Sequence, residues 1–231
     1  MNMGNEASEA SEADRSARRV LMTVDDAGDF LLCAGDDLLL GHARGGAADL
    51  PVLADVGIEH VRLERRSSLA GGSEWFVVPL AGERVLRNAE PLFAPAPLFD
   101  EDELLLGSNL RVRFRQPDPA SASAVLDLLG GIDCLGATHV VLLAPGAGGR
   151  VRIGARGGRH VRVPNLEPGF EISLGPTGLI ASSAAGIGRS PAARAPEVLL
   201  PFPPERRVDL SIGGPLPGGR PPFSFSLAAA G

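Results

Sequence analysis

The amino-acid sequence predicts an all-β fold. Short apolar runs recur along its 231 residues, and clusters of Gly, Asp and Pro separate them. The 30 glycines and 20 prolines favour many tight turns between short strands. No segment keeps a helical spacing of apolar residues long enough to predict a stable helix.

The predicted strands are short, rich in Val, Leu, Ile and Phe, and bounded by turn residues, a pattern that is typical of buried strands. In the first half they are Val20–Val24, Phe30–Cys33, Leu38–Leu40, His60–Leu63, Trp75–Val78, Leu104–Leu106 and Leu110–Phe114. In the second half they are Val125–Leu129, Val140–Leu143, Val151–Ile153, Val161–Val163, Phe170–Leu174, Val198–Leu200, Val208–Ile212 and Phe223–Leu227. Residues 182–197 are small, polar and prolyl, which predicts a long loop.

One strand alternates strictly. In the segment 111–115, Val112 and Phe114 are predicted to face a core while three arginines share the opposite face. A solvated sheet face accounts for these arginines, and an anion-binding ladder is the alternative.

The chain is predicted to hold two domains behind a tail. Residues 1–18 are rich in Glu, Ala and Ser and predict a disordered acidic tail. Pro117 and Pro119, followed by small residues, indicate a linker, so the domains are expected at 19–119 and 120–231.

An internal repeat supports the two domains. Gly41, Pro51 and Leu53 correspond at one constant offset to Gly154, Pro164 and Leu166. Both copies read as a strand, a glycine turn containing arginine, and then a further strand.

Composition excludes several classes of protein. A net charge of −6 without a basic block argues against a nucleic-acid partner. No apolar stretch is long enough for a membrane span or a signal peptide, so a cytoplasmic location is expected. The absence of lysine excludes Schiff-base chemistry, and no cofactor is expected. Cys33 and Cys134 lie far apart in sequence and are expected to be small buried hydrophobes.

Metal binding and catalysis are not expected either. His139 and His160 have no carboxylate or cysteine at metal-ligand spacing, and Asp100–Glu103 reads as an acidic turn before a strand. No set of nucleophile, base and oxyanion donors can be assembled from the sequence, which predicts a protein that is not an enzyme.

An ordered set of short motifs runs from residue 20 to about residue 116. It resembles the forkhead-associated (FHA) domain, a β-sandwich family that docks phosphothreonine peptides through loops at one end. The second half resembles this family weakly, as a degenerate copy, so the resemblance implies two tandem FHA-like β-sandwich domains. The matching segments are Leu40-Gly41-His42, Asp49-Leu50, Gly57-Ile58-Glu59-His60, Trp75–Val78, Asn88-Ala89, Glu101-Asp102 and Leu106-Gly107.

The resemblance also implies a set of site residues. In the family, an arginine after the glycine and a serine three residues before the histidine bind the phosphate, an asparagine holds the peptide backbone, and the histidine braces the loop. This chain has His42 and Gly57 at the first two positions and keeps His60 and Asn88. Two missing charge-assisted donors, at about 1.5–3 kcal/mol each, would weaken phosphate binding a hundredfold or more. Arg44 could replace the missing arginine, which completes the candidate set.

The expected function is therefore a non-catalytic protein–protein interaction module with a degenerate phosphothreonine site. Two alternatives stay open. One is a signalling adaptor that reads phosphothreonine peptides with Arg44 and Asn88. The other is a structural scaffold or oligomer subunit.

Overall fold

The chain is built almost entirely of β-strands, as the sequence predicts. The computed structural model describes residues 15–67, 72–146, 148–190, 193–213 and 223–230. Within these ranges, no helix has the length and apolarity needed to cross a membrane. The strands are β1 (Arg19–Val24), β2 (Gly28–Ala34), β3 (Asp37–His42), β4 (Leu50–Val52), β5 (Val61–Ser67), β6 (Ser73–Pro79), β7 (Val85–Arg87), β8 (Glu90–Pro91), β9 (Ala96–Pro97), β10 (Glu103–Leu106), β11 (Leu110–Arg115), β12 (Ala124–Leu129), β13 (His139–Leu143), β14 (Arg150–Gly154), β15 (Val161–Arg162), β16 (Phe170–Gly175), β17 (Gly178–Ser190), β18 (Ala193–Leu200), β19 (Val208–Ile212) and β20 (Phe223–Ala229).

Residues 1–14 of the predicted acidic tail lie outside the described residues. Residues 15–18 form a turn, in which the Arg18 amide donates to the Arg15 carbonyl at 3.0 Å. The Arg15 side chain also donates to the Gly46 carbonyl at 2.5 Å, so this turn lies against the loop after β3.

The strands form two sheets. The smaller sheet has the order β4-β3-β5-β6-β9. The larger has the order β15-β14-β16-β17-β19-β20-β1-β2-β13-β12-β11-β10-β7-β8, with β18 paired to β17. A first core cluster lies between them and receives Trp75 and Leu63 from the smaller sheet and Phe114 and Val112 from the larger. The chain therefore has sandwich-like packing here, and the predicted inward alternation of Val112 and Phe114 is confirmed.

Four strands of the larger sheet contribute to two cores. Leu31 of β2 belongs to the first cluster, and the next residue, Leu32, belongs to a second cluster built from residues further along the chain. Neighbouring β13 does the same with Val140 and Val141, since alternate residues of a strand face opposite sides of a sheet. We call β1, β2, β12 and β13 the shared layer.

The shared layer crosses the boundary proposed at residue 119. β12 and β13 follow that boundary yet pack in the first cluster, and β1 pairs with the C-terminal strand β20 through Val20↔Ala229 to Val24↔Phe225. The division into 19–119 and 120–231 stays a prediction.

Both cysteines are buried in the first cluster, as predicted. Burial raises the pKa of Cys134 to about 12 and raises that of Cys33 further, so both stay protonated thiols at neutral pH.

The long loop predicted at 182–197 is wrong. Most of this segment forms the ends of β17 and β18, which pair antiparallel from Leu179↔Leu200 to Ser190↔Ala193 with two shifts of register. Gly186, with φ +77°, lies at the first of these shifts, between Ser182 and Ile187. Strands pair through backbone hydrogen bonds, which do not require large side chains. A strand of Ala, Ser and Gly can therefore form without the apolar pattern from which strands are predicted.

The two halves of the sequence repeat share a local arrangement. In the first copy, β3 pairs parallel with β4 through Gly41↔Pro51 and antiparallel with β5. In the second, β14 pairs parallel with β15 through Gly154↔Arg162 and antiparallel with β16. Each copy therefore places two loops side by side beyond its glycine.

The arginines of β11 are largely paired. Arg113 lies 3.1 Å from Glu103, and Arg115 donates to Asp127 through Nε at 2.5 Å and Nη2 at 2.9 Å. His139 Nδ1 lies 2.8 Å from the same Asp127 carboxylate. These ion pairs explain the presence of Arg113 and Arg115, two of the three arginines, and no bound anion is needed for them.

We expect acid to weaken the fold through Asp127. Burial by itself would raise the pKa of Asp127, but hydrogen bonds from His139 and Arg115 outweigh it and lower the pKa to about 2. The unfolded carboxyl titrates near 3.8, so the stabilisation is complete above that pH and is lost as the pH falls toward 2. Between about pH 4 and pH 2, the free energy of unfolding measured with urea should fall by about 2 kcal/mol because of Asp127. The variant Asp127→Asn should not show this contribution. The matched control Asp209→Asn, which removes a carboxylate exposed at the surface, should keep this loss of stability. If the free energy of unfolding of Asp127→Asn falls with pH as steeply as that of the unsubstituted protein, the assignment to Asp127 is contradicted.

Candidate ligand-binding loops

Four of the five predicted site residues meet at one end of the smaller sheet. His42 ends β3, Arg44 lies in the 3-10 turn Ala43–Gly45, and Gly57 and His60 precede β5. The His42 amide donates to the Gly57 carbonyl at 2.8 Å, and the Arg44 amide donates to His42 Nδ1 at 3.0 Å. The imidazole of His42 thus caps the turn that carries Arg44.

His60 fastens three loops together. Its side chain is fully buried, and Nδ1 lies 3.1 Å from the Gly57 amide and 2.7 Å from Glu83 Oε2. Nε2 lies 3.0 Å from the Arg84 carbonyl and 3.0 Å from the Gly107 amide. Both ring nitrogens are therefore engaged by the protein, which fits a bracing role.

Glu83 fills the space beside Gly57. A Cβ at position 57 would come within 2.1 Å of Glu83 Oε1, so a serine there would have to displace the carboxylate. The carboxylate places negative charge between Gly57 and His60. The sequence does not predict this contact, because Glu83 lies in a loop 23 positions beyond His60 and belongs to no recognisable motif.

Two glycines let Ile58 lie close over the turn. A Cβ at Gly41 would come within 2.0 Å of the Ile58 carbonyl oxygen, and one at Gly45 within 2.2 Å of Ile58 Cγ2. The rest of the Ile58 side chain is in solvent, with 58% of the residue exposed, and Leu53 after β4 is 75% exposed. In the part of the chain that the structure describes, the Arg44 guanidinium makes no ion pair. We call Arg44, Leu53 and Ile58 the first-loop surface.

Asn88 lies elsewhere. With Ala89 it forms the two-residue turn between β7 and β8, and both residues have positive φ, 51° and 69°, as this type of hairpin requires. Its side chain accepts from the Glu103 amide at 2.9 Å and donates to Asp102 at 2.7 Å. Arg84, which contacts His60, precedes the opposite end of β7, roughly 13 Å from Asn88 at about 3.3 Å per residue. The structure does not bring Asn88 to the other four residues.

The remaining histidines have structural partners. His160 is buried, with Nδ1 accepting from the Arg152 amide at 3.1 Å and Nε2 lying 3.2 Å from the Ser123 carbonyl. Burial lowers the pKa of His160, which favours the neutral ring. Over the described ranges, no group of three or more His, Cys, Asp or Glu has a metal-binding arrangement.

No protein-family model and no curated protein matches the chain. Among solved structures, the Slr1951 protein from Synechocystis sp. is similar over 42% of this chain and 95% of its own length, with 19% identity and a TM-score of 0.32.

Proposed function

We propose that the chain is a non-catalytic protein-interaction module, FHA-like in its first half, that binds a partner through the first-loop surface without requiring phosphate. The Glu83 carboxylate carries this proposal. It occupies the space beside Gly57 and His60 where, by the resemblance, a phosphate reader would hold a serine. A carboxylate there repels a phosphate group instead of donating to it.

The first-loop surface has the composition of a protein-binding site. Leu53 and Ile58 are large, solvent-exposed apolar side chains, and Arg44 adds a planar guanidinium on the turn against which Ile58 packs. Arginine next to apolar anchors is common at the centre of protein interfaces. The buried brace at His60 holds the supporting loops, so little ordering entropy is lost on binding.

Phosphothreonine reading is the second candidate, because the Arg44 guanidinium makes no ion pair with any residue that the structure describes. Against it, Asn88 is engaged by Glu103 and Asp102 and stands away from the loops. This candidate therefore rests on Arg44 alone.

We expect Ile58→Asp to weaken partner capture by the chain, because it puts a charge into an apolar contact. Affinity should fall about tenfold or more. Quantitative mass spectrometry of proteins captured from a lysate measures this, with and without phosphatase treatment of the lysate. The matched control is Leu199→Asp on β18, whose side chain is similarly exposed far along the chain.

Retention of the same partners after phosphatase treatment supports the proposal. Loss on phosphatase treatment, together with loss in Arg44→Ala but not in Arg206→Ala, a control at an exposed arginine before β19, would favour phosphothreonine reading instead. A tight oligomer by light scattering with no Ile58-dependent partner would favour a structural scaffold.

A further inference from the structure

The two copies of the repeat exchange their first hairpins. With β1–β11 as the first copy and β12–β20 as the second, each copy opens with a β-hairpin, β1–β2 or β12–β13. The hairpin β1–β2 pairs through β1 with β20, the last strand that the structure describes. The hairpin β12–β13 pairs through β12 with β11, the last strand of the first copy. Both pairings are antiparallel and join five residue pairs, so each copy obtains from the other the hairpin that extends its sheet.

Charged and hydrogen-bonded contacts hold the hairpin β12–β13 beside β11. Asp127 of β12 accepts from Arg115 of β11 at 2.5 and 2.9 Å, and His139 of β13 lies 2.8 Å from the same carboxylate. The connection from β11 to β12 is anchored as well, because Trp75 Nε1 donates to the Ala122 carbonyl at 2.8 Å. Since β11 and β12 also follow each other closely in the chain, we expect this hairpin to stay with its own β11.

The hairpin β1–β2 has no such charged anchor on β20, because the strand Phe223–Ala229 contains no ionisable side chain. The pairing uses the backbone and apolar side chains that meet in the second cluster, with Met22 opposite Leu227. At the hairpin turn, the Ser224 amide donates to the Asp25 carboxylate at 3.0 Å, across 199 positions of sequence. These contacts do not distinguish β20 of the same chain from β20 of a second copy.

A very short connection joins the hairpin β1–β2 to the smaller sheet. β2 ends at Ala34 and β3 begins at Asp37. Only Gly35 and Asp36 lie between the two strands, and the Asp36 carbonyl accepts from the Arg65 amide at 2.6 Å, which fixes the β3 side of the connection. Short hinges favour exchange between identical chains, because a straightened hinge carries the hairpin into a neighbouring molecule.

We propose that two copies of this chain form a dimer by exchanging their β1–β2 hairpins, so that each hairpin pairs with β20 of the other copy while β12–β13 stays on its own β11. The dimer keeps every strand pairing of the single chain and changes only the path of Gly35 and Asp36. The first-loop surface stays with its own chain and outside the exchange. The proposal therefore does not depend on the function proposed for that surface.

The exchange takes place during folding, because the docked hairpin is buried on both faces. Leu31 packs in the first cluster and Leu32 in the second, so a hairpin that leaves the folded protein exposes two apolar faces to water. In the folding chain, β20 of a second molecule competes with the chain's own β20. This competition becomes equal when the protein concentration reaches the effective concentration of the chain's own strand, on the order of 1 mM.

Refolding at two protein concentrations tests the proposal. The chain 1–231 is unfolded in urea, refolded at about 10 μM or about 1 mM, and analysed by size exclusion with light scattering; the ratio of dimer to monomer should rise about a hundredfold between the two. The isolated dimer should persist on dilution and return to monomer only after it is unfolded and refolded at the lower concentration. Its amide NMR shifts should match those of the monomer except around residues 35–36.

A pair of cysteines shows which hairpin is exchanged. Thr23 and Ser226 lie directly opposite each other on β1 and β20, so Thr23→Cys combined with Ser226→Cys should form a disulfide under mild oxidation. On a denaturing gel without reductant, the monomer should run as a single chain and the dimer as two linked chains. The matched control, Arg111→Cys combined with Leu129→Cys, joins β11 to β12 and should link residues only within one chain in both preparations.

If the cysteine variant does not fold, the unsubstituted protein gives the same information. A dimer refolded from a mixture of isotope-labelled and unlabelled chains should show NOEs between Met22 of one chain and Leu227 of the other. Four results would overturn the proposal: no dimer at either concentration, a dimer that dissociates on dilution alone, amide shifts that differ throughout the larger sheet, and links between chains in the control pair on β11 and β12.

Discussion

A fragment of residues 19–119 is expected to remain unfolded on its own, although it contains every segment of the FHA-like resemblance. It lacks β12 and β13, which supply Ala124, Leu126, Leu128, Val140 and Leu142 to the first core cluster. Without these strands the larger sheet is also interrupted between β2 and β11. The fragment therefore loses part of its core and the continuity of one of its two sheets.

The same fragment would also expose the far side of β1 and β2. Val20, Met22, Phe30 and Leu32 are buried in the second cluster and would face water. At about 1.5–3 kcal/mol per side chain, this exposure costs roughly 6–12 kcal/mol. That is comparable to the whole stability of a typical domain, about 5–15 kcal/mol.

NMR amide dispersion and urea unfolding measure this outcome. Fragments 19–119 and 120–231 should each give collapsed spectra, and mixing them should restore dispersion because the shared layer can then assemble. The chain 1–231 should unfold in one transition. A dispersed spectrum and cooperative unfolding of 19–119 alone would show that the first half is an independent domain.

Gly107→Ala is expected to be the most damaging methyl addition at the candidate site. Gly107 has φ +60°, and a Cβ there would come within 1.9 Å of the Asp55 carbonyl oxygen, which belongs to the backbone and cannot rotate away. The Gly107 amide also contacts His60 Nε2 and donates to the Arg84 carbonyl. We expect a loss of about 3 kcal/mol or more in the free energy of unfolding, from overpacking added to backbone strain.

Gly46→Ala is the matched control. Gly46 has nearly the same φ, +62°, but nothing lies within 4 Å of the position that a Cβ would take there. The free energy of unfolding of Gly46→Ala should fall only by the cost of a positive φ at alanine, about 1 kcal/mol. Equal losses in the two variants, measured by urea unfolding, would mean that the contact with Asp55 adds nothing.

The fold class and many strands follow from the sequence because they depend on local patterns. Val112 and Phe114 alternate with charged residues, and such alternation specifies which face is buried. The pairing of β1 with β20 could not be predicted, since it joins segments 199 residues apart and depends on backbone groups that every sequence shares. The strand β17 could not be predicted because its Ala, Ser and Gly residues do not form a pattern of apolar side chains.

The site was predictable only in part, for a similar reason. His42, Gly57 and His60 share one short region of chain, so local motifs indicate that they meet. Glu83 reaches them from the loop after β6 and could be found only from its contact with His60. Asn88 was assigned by sequence order, yet its positive φ makes it a turn residue whose side chain serves the hairpin.

The shared layer also has a consequence for synthesis on the ribosome. β1 and β2 are synthesised long before β20, the strand that completes β1. The apolar face of this hairpin must therefore wait until β20 has been made, and during that time a chaperone or another nascent chain can reach it. Products that end before β20 should consequently aggregate more readily than a chain that contains it.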